Sequence, residues 1–230
     1  MREHVFVIQR HQDGRAWEQE YHVALEPTDR LLDGLVRIKD TLDGTLTFRR
    51  SCAHGICGSC AVNVGGSNML ACQALMRGLP GRVNVGPLPG LPVVRDLVVD
   101  WEPFFALTEA VMPYLVADEP PPERERLQSP GEQARILASI TCIMCASCTT
   151  SCPGFWADPA SLGPAALVKA YRFIFDSRDR AGDERLRRVA HERGLWRCHS
   201  AMNCADACPK EIDIPAHIAA LKRLAVRRAW

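Results

Sequence analysis

Cys142-Ile143-Met144-Cys145-Ala146-Ser147-Cys148-Thr149-Thr150-Ser151-Cys152-Pro153 spells C-x2-C-x2-C-x3-C-P, a run of thiolates that holds four-iron clusters. In proteins with two such clusters the fourth cysteine of a run crosses to the other cluster, so a second run is required. Cys198-His199-Ser200-Ala201-Met202-Asn203-Cys204-Ala205-Asp206-Ala207-Cys208-Pro209 keeps the spacing, with Ala201 where the second cysteine would stand. Under the crossing rule Cys142, Cys145, Cys148 and Cys208 complete a four-thiolate site, that of a 4Fe-4S cluster. The other site receives only Cys152, Cys198 and Cys204, so a 3Fe-4S cluster is its natural occupant. A 4Fe-4S cluster with a labile iron is the alternative there, although Ala201 is small and apolar and offers no replacement ligand.

A third constellation lies upstream. Ser51-Cys52-Ala53-His54-Gly55-Ile56-Cys57-Gly58-Ser59-Cys60, with Cys72 beyond it, gives C-x4-C-x2-C…C, the plant-type 2Fe-2S spacing. A loop wrapped around two irons must bend tightly and aim backbone N–H groups at sulfur, and Gly55 and Gly58 supply the positive φ this can require. Structural zinc also uses four thiolates, but usually as paired C-x2-C knuckles. The three sets account for all 11 cysteines.

Composition narrows the function classes. The 230 residues carry 28 Lys+Arg against 27 Asp+Glu, a formal net charge of +1, without the basic excess of nucleic-acid binders; no nucleic acid partner is expected. Clustered cysteines without an export signal favour metal ligation in a reducing compartment. No apolar run approaches the ~18–20 residues that span a bilayer, so membrane contact is expected through a partner. There is no G-x-G-x-x-G fingerprint, phosphate loop or nucleophile constellation. Three clusters in one chain therefore read as a one-electron relay whose substrate chemistry sits on another subunit.

Hydrophobic periodicity divides the chain. Val5 and Val7, then Tyr21, Val23 and Leu25, alternate around His11-Gln12-Asp13-Gly14 as an opening hairpin. A helix follows over Leu31–Asp40, Thr45–Phe48 reads as a strand, and Ala61–Val64 and Met69–Ala71 flank a second turn. Residues 1–100 thus form an α+β module. The proline- and charge-rich stretch Asp118-Glu119-Pro120-Pro121-Pro122-Glu123-Arg124 marks a linker, set at 101–130. Residues 131–230 read as all-α, with helices over Gln133–Ile140, Pro164–Phe175, Asp183–Arg193 and Pro215–Val226. The basic run Lys222–Arg228 reads as a solvated helix end whose cations suit the helix dipole.

This order of modules and motifs resembles the iron-sulfur subunit of succinate dehydrogenase (succinate:quinone oxidoreductase) and of quinol:fumarate reductase. The likeness covers nearly the whole chain, including Ser51–Cys60, Pro92–Asp100, Ser151–Trp156, Phe175–Asp179 and Cys198–Pro209. It implies an N-terminal plant-type ferredoxin-like (β-grasp) 2Fe-2S domain followed by an all-α bacterial-ferredoxin-like domain. It also implies a flavoprotein subunit with covalent FAD that converts succinate to fumarate. Electrons then pass through 2Fe-2S, 4Fe-4S and 3Fe-4S clusters to a quinone at a membrane-anchor subunit. The expected setting is the cytoplasmic face of a bacterial or archaeal membrane, held there peripherally. Quinol:fumarate reduction uses the same wire in reverse, and a stand-alone multi-cluster ferredoxin is the reading from a different class; such carriers are usually small and acidic.

By the same resemblance the quinone head group lies near Pro153, Trp156 and His199. An indole N–H on Trp156 can donate to a quinone oxygen, and His199 can hold a proton near neutral pH. Core packing for Trp156 and a hydrogen bond to sulfur or carbonyl for His199 are the competing structural roles. The chain departs from many relatives at Ala157, where a second tryptophan contacts the quinone, at Ala201, where a large apolar residue is common, and at Ser147, where a non-ligand cysteine is common. Cys60 makes the 2Fe-2S site all-thiolate where some relatives have aspartate.

Overall fold

A computed structural model describes residues 1–117 and 121–228. The Asp118-Glu119-Pro120 part of the expected linker lies outside the described residues. Two compact units emerge: Met1–Trp101 together with Ile143–Ser151, and Glu102–Cys142 together with the chain from Cys152 onward.

In the first unit β1 (Arg2–Gln12) and β2 (Arg15–Leu25) pair antiparallel along their whole length. Asp13 and Gly14 close the hairpin at φ 50° and 76°, the positive values that a two-residue turn between twisted strands requires. β3 (Ala61–Val64) and β4 (Ser67–Leu70) form the second hairpin. β5 (Arg82–Gly86), which sequence periodicity did not reveal, runs parallel to β1 and antiparallel to β3, giving the order β2-β1-β5-β3-β4. A short pair, β6 (Val93–Arg95) and β7 (Val98–Val99), stands apart. α1 (Leu31–Arg37) lays Leu31, Leu32 and Leu35 into the core with Phe6, Ile8, Leu25 and Val83. Gly34 makes that contact close: a Cβ there would stand 2.4 Å from the Phe6 ring.

The expected strand Thr45–Phe48 is not formed, for a polar reason. Arg10, 3% exposed, donates through Nε to Asp96 Oδ1 (2.9 Å) and through its terminal nitrogens to Asp43 (2.7 Å), Tyr21 Oη (2.5 Å), Gln19 (2.8 Å) and Thr45 (2.9 Å). Asp96, 1% exposed, also accepts from the backbone N–H of His11 (3.1 Å) and of Thr47 (2.8 Å). The Thr45–Thr47 backbone is thus spent on this network rather than on a ladder. Burial disfavours the Arg10 charge, yet its hydrogen bonds to Asp96 and Asp43 outweigh that and hold the guanidinium above its ordinary range.

In the second unit α6 (Gly163–Ile174) is the central helix, burying Leu167, Val168, Ala170, Tyr171 and Phe173. α3 (Pro130–Ile140), α7 (Gly182–Val189) and α9 (Ile214–Arg227) pack on it. α2 (Glu102–Glu109), with Phe104 and Thr108 buried, also packs on α6, so the expected 101–130 linker begins with a helix. α7 stops at Val189, short of the expected Arg193. Short helices α4 (Ser147–Thr150), α5 (Pro153–Ala157) and α8 (Asn203–Asp206) lie among the cysteines. α3 begins at a capping box in which Ser129 and Glu132 exchange hydrogen bonds.

A second buried arginine ties the unit together. Arg185, with no exposed surface, meets Asp179 (2.8 and 3.2 Å) and the carbonyls of Val111 (3.0 Å), Met112 (3.1 Å) and Tyr114 (3.1 Å).

Removing Asp96 leaves Arg10 with Asp43 as its remaining carboxylate and strips the His11 and Thr47 amides of their acceptor, a loss toward the about 3–5 kcal/mol of a broken buried pair. Asp96→Ala is therefore expected to lower the Tm of the cluster-loaded chain by roughly 10 °C. Asp43→Ala, at a carboxylate 16% exposed, should cost clearly less; equal losses in thermal melts would refute the central place given to the Arg10–Asp96 pair.

Candidate metal centres

None of the eleven cysteines forms a disulfide, and each candidate set can be followed from its local backbone. Among the described residues no three His, Cys, Asp or Glu side chains gather tightly enough for a single metal ion, so the fit is judged for the larger multi-iron group.

The first centre sits on the loop before β3. Ala53, Gly55 and Gly58 all have positive φ (58°, 77° and 73°), and the resulting turn points three backbone N–H groups at one sulfur. His54, Ile56 and Cys57 donate to Cys52 Sγ at 3.5, 3.4 and 3.3 Å. Those donors pull the Cys52 thiol down to about 6, so the loop favours a thiolate before any metal arrives. Cys60 is the opposite case: burial pushes it up to about 12, with Cys72 as neighbour. Such a thiol gives up its proton when a metal replaces it. Arg30 donates to the Ala53 carbonyl at 2.7 Å and anchors the loop to the start of α1, a contact that cysteine spacing does not foretell. The donor set and the N–H cradle fit a 2Fe-2S cluster.

The segment Ile143–Ser151 packs within this first unit, whereas the sequence division placed it in the 131–230 domain. Asn68 on β4, 6% exposed, is the reason: its Nδ2 donates to the Ser147 carbonyl (3.1 Å), Thr150 Oγ1 (2.8 Å) and Ser151 Oγ (2.8 Å). Gly58 lets the segment come close, because a Cβ there would meet Cys145 Cβ at 2.9 Å. Cys145 and Cys148 are buried, and Met144 and Ala146 carry positive φ of 56° and 60°. Ser147, fully buried, accepts from Cys145 Sγ at 3.5 Å.

In the second unit Cys152, Cys198 and Cys204 line a cavity of about 100 Å³. Burial raises the Cys204 thiol to about 11, and the nearby Cys152 and Cys198 add to the rise, so three sulfurs face one space. Ser200 and Met202 have positive φ of 57° and 68°, the same two positions of the run as Met144 and Ala146. The second run therefore keeps the ligand-loop backbone of the first and lacks only the thiol at Ala201, which also lines the cavity. Three thiols around a small space fit a 3Fe-4S cluster.

Pro153 and His199 line that same cavity. Trp156 stands on α5, 51% exposed, so core packing does not account for it; it is not among the cavity-lining residues. Two lysines were missed. Lys222 on α9 donates to the Cys198 carbonyl at 2.6 Å, so the basic run is more than a solvated helix end. Lys169 on α6 reaches the Cys142 carbonyl at 3.5 Å. A lysine on a helix C-terminal to each cysteine run is the only signal sequence offers for them.

These centres define a multi-cluster iron-sulfur protein of the electron-carrying class. A family profile described as a 2Fe-2S iron-sulfur cluster binding domain matches residues 4–106, and one described as a 4Fe-4S dicluster domain matches residues 138–212. The succinate dehydrogenase iron-sulfur subunit of Paracoccus denitrificans is 48% identical over 199 residues, 86% of this chain and 77% of that protein. That of Coxiella burnetii is 48% identical over 167 residues, 72% of this chain and 71% of its own length. The chain belongs to the family of succinate dehydrogenase iron-sulfur subunits. A chain of the Mycobacterium smegmatis Sdh1 complex in the apo form shares the fold, with a TM-score of 0.92 at 23% identity, covering 99% of this chain and 97% of that one.

The left-handed backbone of the first loop gives a direct test. Gly55→Ala places a Cβ at φ +77°, 2.3 Å from Gln73 Nε2; the amide can swing away, but the backbone strain of about 1–2 kcal/mol remains. The 2Fe-2S content, read from visible absorbance and acid-labile sulfide, is expected to fall. Gly44→Ala, whose nearest neighbour would be 3.8 Å away, should leave it unchanged.

Proposed function

We propose that this chain is the electron-transfer subunit of a succinate:quinone oxidoreductase, carrying single electrons from a flavoprotein subunit to a quinone at a membrane-anchor subunit. Family membership and the matched 2Fe-2S and 4Fe-4S dicluster profiles support the reading. Succinate loses two electrons and two protons to become fumarate at the FAD of the flavoprotein. Iron-sulfur clusters, when bound, supply reversible one-electron storage, with potentials set by cluster type, charge and hydrogen bonding.

The chain's own residues hold and shield those groups. Cys52, Cys57, Cys60 and Cys72 are the proposed ligands of the 2Fe-2S cluster. Cys142, Cys145, Cys148 and Cys208 are those of the 4Fe-4S cluster, and Cys152, Cys198 and Cys204 those of the 3Fe-4S cluster. The observation that carries the terminal assignment is the repeated positive-φ backbone with Ala201 in place of a thiol. Pro153, Trp156 and His199 are the proposed quinone-side residues. His199 and Trp156 are both exposed, and His199 lines the cavity of the third set of thiols; one can hold a proton and the other donate to a carbonyl oxygen. No helix among the described residues is long and apolar enough to cross a membrane. Association with the membrane is peripheral, proposed to be at the cytoplasmic face of a bacterial or archaeal cell.

Low-temperature EPR of the anaerobically purified complex tests this. A 3Fe-4S signal in the oxidised sample, with 2Fe-2S and 4Fe-4S signals on reduction, is the expected result; a colourless zinc protein would overturn it. Ala201→Cys completes the second run and is expected to abolish the oxidised three-iron signal and add about one iron per complex. Retention of the three-iron signal would refute the ligand set.

A further inference from the structure

The ammonium of Lys169 lies 3.5 Å from the carbonyl oxygen of Cys142, the first cysteine of the first run. Lys169 is itself half-buried on α6, as a lysine is when its apolar stem is covered and its ammonium reaches a polar partner. Among the described residues Lys169 has no carboxylate partner. It sits mid-helix, where the helix dipole gives a cation no advantage. Lys222 makes the same contact with the Cys198 carbonyl, at 2.6 Å, in the second run. Each run thus has its first cysteine faced by a lysine from a helix C-terminal to it.

We infer that Lys169 sets the electron affinity of the 4Fe-4S cluster, acting through the backbone of Cys142. The inference rests on Cys142 being a ligand of that cluster, as proposed above. One-electron reduction adds a negative charge to the cluster, and a cation held against the carbonyl of one of its proposed ligands in a partly buried site favours the reduced state. A structural role competes with this one, since Cys142 follows the C-terminus of α3 and a lysine can cap the last carbonyls of a helix. Capping needs only a donor; tuning needs the charge. Lys169 is on this account a positioning residue for electrons and not a catalytic one.

An EPR-monitored redox titration of the intact complex separates the two roles. Lys169→Gln keeps an N–H donor and removes the charge. It is expected to weaken 4Fe-4S reduction about tenfold, which is 59 mV for a one-electron couple, while the 2Fe-2S and 3Fe-4S midpoints stay in place. Lys169→Arg should restore the wild-type midpoint. Lys169→Met, neutral and of similar length, is the second variant and has to shift the midpoint the same way. An unmoved 4Fe-4S midpoint with its signal intact, or an equal shift of all three clusters, overturns the inference. Absence of a 4Fe-4S signal from the wild-type complex would instead overturn the ligand assignment beneath it.

Discussion

A loop that must surround a cluster of irons has to turn its backbone inward, and for L-residues that means entering the left-handed region. The same device appears in all three cysteine constellations. In the first loop two of the three such residues are glycines, with Ala53 the third. In the other two runs no glycine is used: Met144 and Ala146, then Ser200 and Met202, adopt φ between 56° and 68°. Each non-glycine residue there costs about 1–2 kcal/mol, and such strain persists only where the surroundings over-determine it. For the first run the surroundings are visible. Asn68 clasps Ser147, Thr150 and Ser151, and Gly58 gives Cys145 room to pack.

The strained loops need a rigid base, and each unit supplies one through a buried arginine. Arg10 and Arg185 have the same logic: a planar fork with five donors satisfies several acceptors from distant parts of the chain at once. Arg10 gathers Asp96, Asp43, Tyr21, Gln19 and Thr45. Arg185 gathers Asp179 and three carbonyls of the Val111–Tyr114 stretch. Apolar residues of equal volume could match such pairs in stability, but they could not satisfy those carbonyls and backbone amides. The arginines therefore fix the course of irregular chain segments, which is where a protein of many loops most needs direction.

Legibility from sequence followed the range of the interaction. Ligand loops were readable because their chemistry is local: thiolate spacing and turn residues lie within a dozen positions. The opening hairpin, the second hairpin and the long helices were readable from period alone. Thr45–Phe48 misled because its alternation serves hydrogen bonds to Asp43 and Asp96, the latter 49 residues from Thr47. β5 was missed because Arg82–Gly86 is short and lies in a glycine-containing stretch, and its pairing with β1 is remote in sequence. α2 was hidden by the prolines that follow it. Assigning Ile143–Ser151 to the first unit required knowing that an asparagine 79 residues upstream of Ser147 would bind it, which no periodicity encodes. Lys222 was judged by its charged neighbours, when its contact with Cys198 depends on how α9 packs.

The two runs of the second family profile are, at the level of backbone, one motif used twice. Both place positive φ at the third and fifth positions of the run, on either side of the second-cysteine position, both end in Cys-Pro, and both receive a lysine at the carbonyl of their first cysteine. Against that sameness the single exchange at Ala201 stands out. The exchange takes away one thiol without disturbing the loop, since the flanking left-handed residues are retained. Ala201, Pro153 and His199 all line the cavity that Cys152, Cys198 and Cys204 face, so one exchange alters the chemistry of that cavity's wall while the left-handed backbone around it stays as it is in the first run.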